Sequence, residues 1–376
     1  MARLDLVTTI LPGLSGVAGA AADRQVLRFR VNIDAVPDTQ WDESLAGFSD
    51  CSLEQSAAYS RRRWGSGHDS HLVLRDGERP VAMARVATFQ APVVGRGIAF
   101  VKFGPVWRSR TGDADVAVYR RMLAELGAEY CGRRGMLLTI QPRPNPTIQP
   151  IEEAALGDHG FVLRRPMASP DRFFVDLGLS AEEQRGSLGQ KWRYNLKKAE
   201  SAGVTVDLVE GGTGFEAFAR MHREMVARKN AAESDPVGLL PWLHDRLPPE
   251  LRPAVVIARH DGEPVAGAIV GTFGDTAYYL YGASREGALK VNAGFALHWW
   301  IVGWLSAGGA RWYDLGGAPE SSMLRQFKSG LTGRRGQVLP QLGERDFWAR
   351  ADQRIVADML FRLRESAQAL RRKTGL

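Results

Sequence analysis

The chain has 376 residues, of which 44% are hydrophobic and 24% are charged. This composition excludes an intrinsically disordered protein, and the length favours two cores or one duplicated core. The formal net charge of +7 suits a polyanion, a phosphorylated substrate or an anionic membrane surface, although a basic proteome alone gives the same balance. Cys51 and Cys131 lie in separate segments without a CxxC or Cys/His cluster, so a structural metal is not expected.

The beginning of the chain is mostly small and apolar, but Arg3, Asp5 and Pro12 interrupt it. It matches a secretory signal only loosely. We therefore expect residues 1–25 to form a flexible N-terminal extension of a cytoplasmic protein. Elsewhere no window reaches the roughly 20 uninterrupted apolar residues of a membrane span.

The sequence contains an internal repeat. The segment RDGERPVAMARVATF, from Arg75 to Phe89, returns as RHDGEPVAGAIVGTF, from Arg259 to Phe273, with DGE, PVA and TF in the same order. In each copy an Asp-Gly pair separates two apolar runs, which is the pattern of a β-hairpin. Such self-similarity indicates a duplicated unit.

The elements that follow the two hairpins are predicted in the same order. Strand, helix and strand are expected at 98–103, 116–131 and 136–140 in the first copy, and at 277–283, 295–306 and 311–317 in the second. An antiparallel hairpin followed by a βαβ crossover resembles the core of the GNAT N-acyltransferase fold. We predict an α/β (α+β) protein of two tandem GNAT-like repeats with mixed, largely antiparallel sheets.

The expected domain organisation has four parts. Residues 26–168 form the first repeat and residues 169–347 form the second, which carries the catalytic site; the boundary falls near Pro166 to Pro170, where RRPMASPDR interrupts the pattern. The extension at 1–25 precedes them, and residues 348–376 follow as a basic, amphipathic helix. Its apolar residues recur at helical spacing: Ile355, Met359, Leu363 and Leu370.

The segment LSAEEQRGSLGQKWRYNLKKAESAGVTV predicts a strongly basic helix. Ser180 and Glu183 have the spacing of a capping box, and Gly203 suits a helix end. Trp192 and Leu196 would face the core. The polar side of the helix carries an asparagine among basic residues: Lys191, Arg193, Asn195, Lys197 and Lys198. Such a stripe fits an anion-binding surface or an ordinary solvated helix face.

The run KWRYNLKKAESAGVTV closely resembles the segment by which the Fem (FemABX) aminoacyltransferases are recognised. Further similar pieces follow in the family's order: IARHDGEPVAGA, YYLYGAS, GGARWYDLGG and LRQFKSGLTGRRGQ. FVKFGPVW in the first repeat also resembles the family, and the resemblance spans residues 50 to 347. It implies an aminoacyl-tRNA donor and an amine acceptor on a peptidoglycan precursor, without a metal, an acyl-enzyme or any other cofactor.

This chemistry needs no covalent nucleophile. An aminoacyl ester is already activated, so catalysis requires orientation of the amine, removal of a proton and stabilisation of the developing oxyanion. The sequence has no GxSxG elbow, and neither cysteine lies in a recognisable nucleophile motif.

The resemblance also implies catalytic residues in the second repeat. Phe327 and Lys328, in QFKSG, are expected between a strand end and a glycine-rich turn, where the family's Phe-Lys pair meets the aminoacyl-tRNA 3′ end. Asp314 and Tyr281 are placed at the ends of the two central strands, as a proton acceptor or a positioning group. A buried tyrosine with a satisfied hydroxyl is an equal alternative.

Two further cations are candidates for binding the acceptor. Arg228, in MVARKN, corresponds to the arginine that helps to bind the acceptor's phosphates in the family, although Lys229 here replaces an acidic neighbour. Lys102, before Gly104, is a candidate phosphate ligand from the first repeat. The acceptor is thus expected to be a phosphorylated or lipid-linked amine, with peripheral contact to the inner membrane surface.

Two other functions stay open. The GNAT fold ordinarily binds acyl-CoA, but REGALKVNAGF, before the second repeat's helix, lacks a clean phosphate-binding glycine pattern. A non-catalytic RNA-binding module is the other alternative. The stretch from Val226 to Pro253 is too short for the long helical arm of some family members, so an armless monomer is expected.

Overall fold

The computed structural model describes residues 29–91, 95–112, 114–165, 170–229 and 237–374. The expected N-terminal extension, and residues 166–169 of the expected domain boundary, lie outside these residues.

Two seven-stranded sheets organise the described chain. The strands are β1 Phe29–Ile33, β2 Asp69–Asp76, β3 Arg79–Gln90, β4 Gly97–Lys102, β5 Leu137–Gln141, β6 Val162–Arg165, β7 Arg172–Asp176, β8 Thr205–Val209, β9 Ala254–His260, β10 Glu263–Phe273, β11 Thr276–Ser284, β12 Trp312–Gly317, β13 Gln337–Leu339 and β14 Glu344–Phe347.

Helices flank both sheets. They are α1 Asp38–Leu45, α2 Ala57–Trp64, α3 Val116–Leu126, α4 Gln149–Asp158, α5 Ala181–Ser187, α6 Gln190–Ser201, α7 Gly211–Lys229, α8 Leu239–Arg246, α9 Gly287–Lys290, α10 Ala293–Ala307, α11 Met323–Thr332 and α12 Ala351–Thr374.

The sheets are mixed and largely antiparallel, which confirms the predicted fold class. The first has the order β1-β2-β3-β4-β5-β14-β6 and the second the order β13-β7-β12-β11-β10-β9-β8. In each sheet one pair is parallel, β4 with β5 and β11 with β12. The crossover between these strands contains a helix, α3 in the first sheet and α10 in the second, as a parallel connection requires. We call the unit around each sheet the first and the second repeat.

The two Asp-Gly motifs form the predicted hairpin turns. Strand β2 pairs with β3 from Asp76 and Arg79 onward, and β9 pairs with β10 from His260 and Glu263 onward. In the second turn Asp261 and Gly262 both have positive φ, at 51° and 79°. Asp-Gly is suited to this two-residue turn because both residues tolerate the left-handed region.

One strand crosses between the repeats. Strand β14 follows the strands of the second sheet in sequence, yet it lies in the first sheet between β5 and β6. Strand β7 begins the seven consecutive strands of the second sheet, β7 to β13, and pairs with β12 and β13. The first sheet is therefore completed by backbone hydrogen bonds from a strand that follows the second sheet in the chain.

The repeats also share a core and a polar joint. One apolar cluster joins α1 and α2 of the first repeat to α7, α8 and β9–β11 of the second. Beside it the fully buried Arg143 donates hydrogen bonds to the carbonyl oxygens of Cys51 and Thr276. Arg108 pairs with Asp275 at 2.8 Å. These contacts fix the β10–β11 turn of the second repeat against the first.

Two local expectations need correction. The basic segment forms two helices, α5 and α6, because the chain bends at Gly189, whose N–H donates to the carbonyl oxygen of Gly330 at 3.0 Å. The predicted capping box of Ser180 and Glu183 does begin α5. In α12 the buried side differs from the predicted stripe, since Ile355 and Met359 are 59% and 52% exposed.

Candidate functional site

The second sheet opens between its two central strands. Strands β11 and β12 are paired only from Thr276 and Trp312 to Tyr278 and Asp314. Beyond these pairs β11 stays with β10 as far as Ser284, and β12 turns to β7. The strands diverge at their carboxyl ends, which is where α/β sheets commonly bind ligands.

A bulge in β11 accompanies this opening. The register with β10 shifts between Ile269 and Val270, so that Leu280 has no partner between Tyr279 and Tyr281. A bulge bends its strand and re-aims the neighbouring side chains. The bend therefore moves the end of β11 away from β12.

The corresponding strands of the first sheet stay closed. Strands β4 and β5 are paired from Ile98 and Leu137 to Lys102 and Gln141, the last residues of both strands. A further hydrogen bond of 2.8 Å joins the N–H of Phe103 to the carbonyl oxygen of Gln141. The two repeats share a fold, but β11 and β12 of the second sheet separate, whereas β4 and β5 of the first sheet stay paired to their ends.

Lys328 lies at the opening on helix α11. Phe327 and Lys328 lie between the end of β12 at Gly317 and the turn that begins at Gly333, and both belong to the helix Met323–Thr332, which was not predicted. Lys328 is 6% exposed, and its Nζ donates to the carbonyl oxygen of Gly317, at the end of β12, at 2.7 Å. Its Nζ also lies 5.8 Å from the ring centre of Tyr279 on β11. The lysine thus bridges the two diverging strands.

Burial lowers the pKa of Lys328 to about 8, and Arg172 adds to this effect while Asp314 opposes it. A lysine with this pKa is mostly a cation near neutral pH, but it loses its proton more readily than a surface lysine. The group is therefore suited to contact with a developing negative charge or to transfer of a proton.

A neutral histidine supports the same opening from helix α10. His298 is buried, and its ring lies 4.8 Å from that of Tyr279 and 5.3 Å from that of Phe327. Its Nδ1 lies 3.2 Å from the hydroxyl of Tyr313. Burial and the nearby charge of Lys328 lower the pKa of His298 to about 3, so the imidazole carries no charge at neutral pH.

Phe327 belongs to an aromatic cluster that joins three helices. Its ring lies 5.1 Å from that of Phe295 on α10 and 5.8 Å from that of Trp192 on α6. Trp192 packs in turn against Phe295 at 5.0 Å. The KWRYN segment and the QFKSG segment are thus in direct contact, although 135 positions separate Trp192 from Phe327 in the sequence.

Asp314 is fully buried at the point where the strands separate. Its Oδ2 accepts hydrogen bonds from Nε and Nη2 of Arg172, at 2.9 and 2.7 Å, and its Oδ1 accepts one from the N–H of Gly316 at 2.8 Å. Gly316 has φ of 71°, which glycine adopts without strain. The carboxylate therefore holds β7 and the bend of β12 in place. Of the two predicted roles, proton acceptor and positioning group, this arrangement suits the positioning group.

Tyr281 faces a second group of residues, from the first repeat. Burial raises its pKa, and so does the nearby carboxylate of Glu54. Lys102 lies 3.8 Å from that same carboxylate. The two sequence candidates Tyr281 and Lys102 therefore both interact with the carboxylate of Glu54.

Lys102 also lines a cavity of about 550 Å³ on the first sheet, between α2 and α12. Arg63 and Trp64 of α2, Phe100 of β4 and Gln141 of β5 line it too. Arg164 also lines the cavity, paired with Glu344 and Asp346. The cavity thus offers three cations, aromatic surface and an amide, a combination that suits a polar ligand with negative charge. Arg63 and Gln141 had no distinguishing signal in the sequence.

The basic residues predicted on the KWRYNLKK helix do not form one free surface. Lys191, Lys197 and Lys198 are exposed, and Nζ of Lys198 lies 4.6 Å from the ring centre of Tyr194. Arg193 instead donates to the carbonyl oxygens of Gly186 and Leu188, at 3.2 and 2.5 Å. Asn195 is half-buried. The three lysines lie on a helix that packs against α11, and thus close to the site.

Arg228 lies at the end of α7 and donates to the carbonyl oxygen of Ser284, the last residue of β11, at 2.9 Å. It is exposed, so its remaining N–H groups face solvent at that strand end. Arg285, which follows, pairs with Glu224 at 2.8 Å. The loop that follows Arg285 continues into the short helix α9.

Three residues of the site were not found by sequence reasoning: His298, Tyr279 and Arg172. His298 was quoted as part of a helix and Tyr279 as part of a strand, but nothing in either pattern marked them as polar neighbours of Lys328. Arg172 stands in the segment that interrupts the repeat pattern. Only the pairing of β7 with β12 brings it to Asp314.

The two cysteines lie away from this chemistry. Both are buried, and burial raises the pKa of each thiol to about 12. At neutral pH they are thiols and poor nucleophiles. Among the described residues, no helix is both long and apolar enough to cross a membrane.

A known family matches part of this chain in sequence, and known proteins resemble it in fold. Residues 186–329, from the end of α5 to Ser329 in α11, match the model of the acetyltransferase (GNAT) domain family. No curated protein sequence matches the chain significantly. Residues 186–329 of the open second repeat thus form an acetyltransferase (GNAT) domain.

Solved structures extend the likeness to both repeats. FemX superposes with a TM-score of 0.68 at 14% identity, over 84% of this chain and 97% of that chain. The C-terminal domain (DUF2156) of a protein assigned as a lysylphosphatidylglycerol synthetase, from Agrobacterium fabrum, gives 0.53 at 17% identity, over 85% and 95%. A conserved protein of unknown function from Bacteroides thetaiotaomicron gives 0.53 at 10%, over 84% and 98%. The chain has the fold of a FemABX-like GNAT protein.

Proposed function

We propose that this protein transfers an aminoacyl group from aminoacyl-tRNA to the amine of a phosphorylated or lipid-linked acceptor, and so forms an amide bond. One observation carries the proposal: β11 and β12 separate in the second sheet, and the partly desolvated Lys328 lies across the opening. The proposed enzyme acts in the cytoplasm as a monomer and needs no cofactor beyond the aminoacyl-tRNA.

The proposed reaction is a direct displacement. The acceptor's amine nitrogen attacks the ester carbonyl carbon, and a tetrahedral intermediate with an oxyanion forms. The intermediate collapses to the amide as the C–O bond to the terminal ribose breaks, and the proton lost by the amine balances the one gained by the ribose hydroxyl. Lys328, as a cation, stabilises the oxyanion, and its carbonyl partner Gly317 keeps the ammonium in place.

The exposed lysines of α6 support a polyanionic donor. Lys191, Lys197 and Lys198 are free to meet phosphates, and α6 contacts α11 through Trp192 and Phe327. A tRNA end that runs along α6 would reach the opening beside Lys328. Phe327 is half-buried among aromatic rings, so we assign it to the shape of the donor site.

The acceptor would bind on the first sheet. The cavity lined by Arg63 and Lys102 supplies positive charge. Lys102 lies 3.8 Å from Glu54, whose carboxylate also acts on Tyr281. Arg228 adds a cation at the end of β11. We propose that these residues bind the acceptor's phosphates and direct its amine towards Lys328.

The decisive test supplies the purified full chain with charged total tRNA and a nucleotide-linked muropeptide. Mass spectrometry should detect an acceptor heavier by one amino-acid residue, and treatment of the tRNA with RNase should remove this product. An acetyl-CoA arm without tRNA addresses the alternative that a GNAT domain suggests. Acylation from acetyl-CoA after RNase treatment would contradict the tRNA donor and establish the CoA-dependent function.

A further inference from the structure

A second large hollow lies away from the opening, on the outer side of α10. It is a groove of about 780 Å³ between α10, α5 and α6, and its floor is apolar, with Leu177, Leu196, Val206 and Val302. It extends along α10 from Ala296 to Ala307, roughly 16 Å at the rise of an α-helix. Lys328 is not among its lining residues. The groove is thus a separate feature from the proposed catalytic site.

Three indole rings form one wall of this groove. Trp299, Trp300 and Trp304 are half-buried, and the rings of Trp300 and Trp304 stack at 6.1 Å. Tryptophan combines a large apolar surface with one N–H donor, and it is enriched where proteins meet the membrane–water interface. Three such residues at one open groove favour a ligand that is mostly apolar.

A buried amide marks the other wall. Gln184 of α5 lines the groove and is 3% exposed, yet neither its amide nitrogen nor its amide oxygen has a hydrogen-bond partner among the described residues. A buried polar group without a partner destabilises the fold. A ligand with a hydroxyl or carbonyl group at this point would satisfy it.

The rim of the groove carries positive charge. Arg185 lies 5.7 Å from the ring centre of Trp299 and pairs with Glu200, which compensates that carboxylate. Lys197, which follows the lining residue Leu196 on α6, is exposed. The rim therefore suits an anionic headgroup, while the apolar floor does not suit a soluble polyanion.

We propose that this groove binds the apolar chain of an anionic lipid, with the lipid's first polar group at Gln184 and its phosphate towards Arg185 and Lys197. The function of such a site is to hold the protein at an anionic membrane surface. This inference does not rest on the proposed aminoacyl transfer, because it concerns binding without any donor.

The test uses a glycine of the groove. Gly303 lies on α10 among the lining residues, and a Cβ at this position would meet no atom within 4 Å. Gly303→Leu therefore places a side chain into the groove without a clash, and it also improves helix propensity. Gly157→Leu is the matched control, because Gly157 is an exposed helical glycine of α4 whose Cβ also meets nothing within 4 Å.

The probe is single-chain lysophosphatidylglycerol below its micelle-forming concentration, titrated into the full chain by calorimetry. We expect saturable binding by the wild type and by Gly157→Leu, and binding at least about tenfold weaker by Gly303→Leu, a loss of 1.4 kcal/mol. Lysophosphatidylcholine should bind more weakly than lysophosphatidylglycerol. Absence of saturable binding, or equal binding by Gly303→Leu, would overturn the proposal. So would self-association of the wild type that Gly303→Leu abolishes, since the occupant would then be a second copy of the chain.

Discussion

The Nζ of Lys328 lies 2.7 Å from the carbonyl oxygen of Gly317, and this contact ties helix α11 to the end of β12 where the second sheet opens. A backbone carbonyl accepts a hydrogen bond from an ammonium without neutralising its charge. Lys328 thereby keeps its charge in a buried place. The buried charge of Lys328 should therefore affect both the stability of the protein and the pH dependence of transfer.

The first prediction concerns the stability of a Lys328→Met variant. The pKa of Lys328 is lowered from 10.5 to about 8 in the folded protein, so its charge destabilises the fold below pH 8. That penalty decreases as the pH rises from 8 to 10.5, where the unfolded chain still holds the proton. We expect the variant to be more stable than the wild type at pH 7, by about 1–3 kcal/mol, and the difference to shrink near pH 10. Urea denaturation at both pH values measures this; a less stable variant at pH 7 would contradict it.

The second prediction concerns the pH dependence of transfer. If the charged form of Lys328 is active, the rate of the chemical step should fall as the pH rises through about 8, where the ammonium loses its proton. Lys328→Arg keeps a charge over that range and should lack this fall, whatever its absolute rate. A single-turnover profile between pH 6 and 10 distinguishes the two enzymes. If the rate fell in the same way in the wild type and in Lys328→Arg, the fall would come from the titration of another group.

The third prediction separates the lysines of α6 from Arg193. Arg193 donates to Gly186 and Leu188, so we leave it in place and change Lys191, Lys197 and Lys198 together to glutamine. Affinity for aminoacyl-tRNA should fall, and the slope of log K against log salt should decrease by about 2, because fewer counterions are released. The control removes the same charge from the exposed Arg79, Arg110 and Arg350. If both triple variants weakened binding equally, the loss of affinity would come from the change in net charge and not from the position of the three lysines.

The fourth prediction concerns Phe327. Its ring packs against Trp192, Phe295 and His298, so Phe327→Ala should cost about 3 kcal/mol of stability, more than an exposed aromatic would. It should also raise the apparent KM for the donor, because the aromatic cluster shapes the site between α6 and α11. Phe327→Leu, which retains much of the volume, should recover most of the stability. Thermal melting and steady-state kinetics of both variants measure these effects, and an unaffected KM in Phe327→Ala would remove the residue from the donor site.

The order of the elements could be predicted because it depends on local patterns. The Asp-Gly turns at 76–77 and 261–262 mark the hairpins, and the apolar spacing marks helices such as α10. The repeated order of these elements then indicated the GNAT-like fold. The insertion of β14 into the first sheet could not be predicted, because an isolated strand of four residues carries no signal for the sheet that it will join.

The site was predictable only where a motif carried it. Phe327 and Lys328 were singled out through a family resemblance. Their helix was missed, since QFKSG was placed only between a strand end and a glycine-rich turn. Arg172 and His298 were missed because their roles depend on contacts across 142 and 30 positions, to Asp314 and Lys328. Burial creates the lowered pKa of Lys328, and a sequence window does not record burial.

The central claim is that Lys328 stabilises the transition state of transfer from aminoacyl-tRNA. Its most direct test is single-turnover transfer to a nucleotide-linked muropeptide by the wild type and by Lys328→Met, with the folded state of each verified by melting. We predict that the folded Met variant transfers at least about 10²-fold more slowly than the wild type. This loss corresponds to about 3 kcal/mol of transition-state stabilisation. Transfer by Lys328→Met at nearly the wild-type rate would contradict the claim and remove Lys328 from the catalytic site.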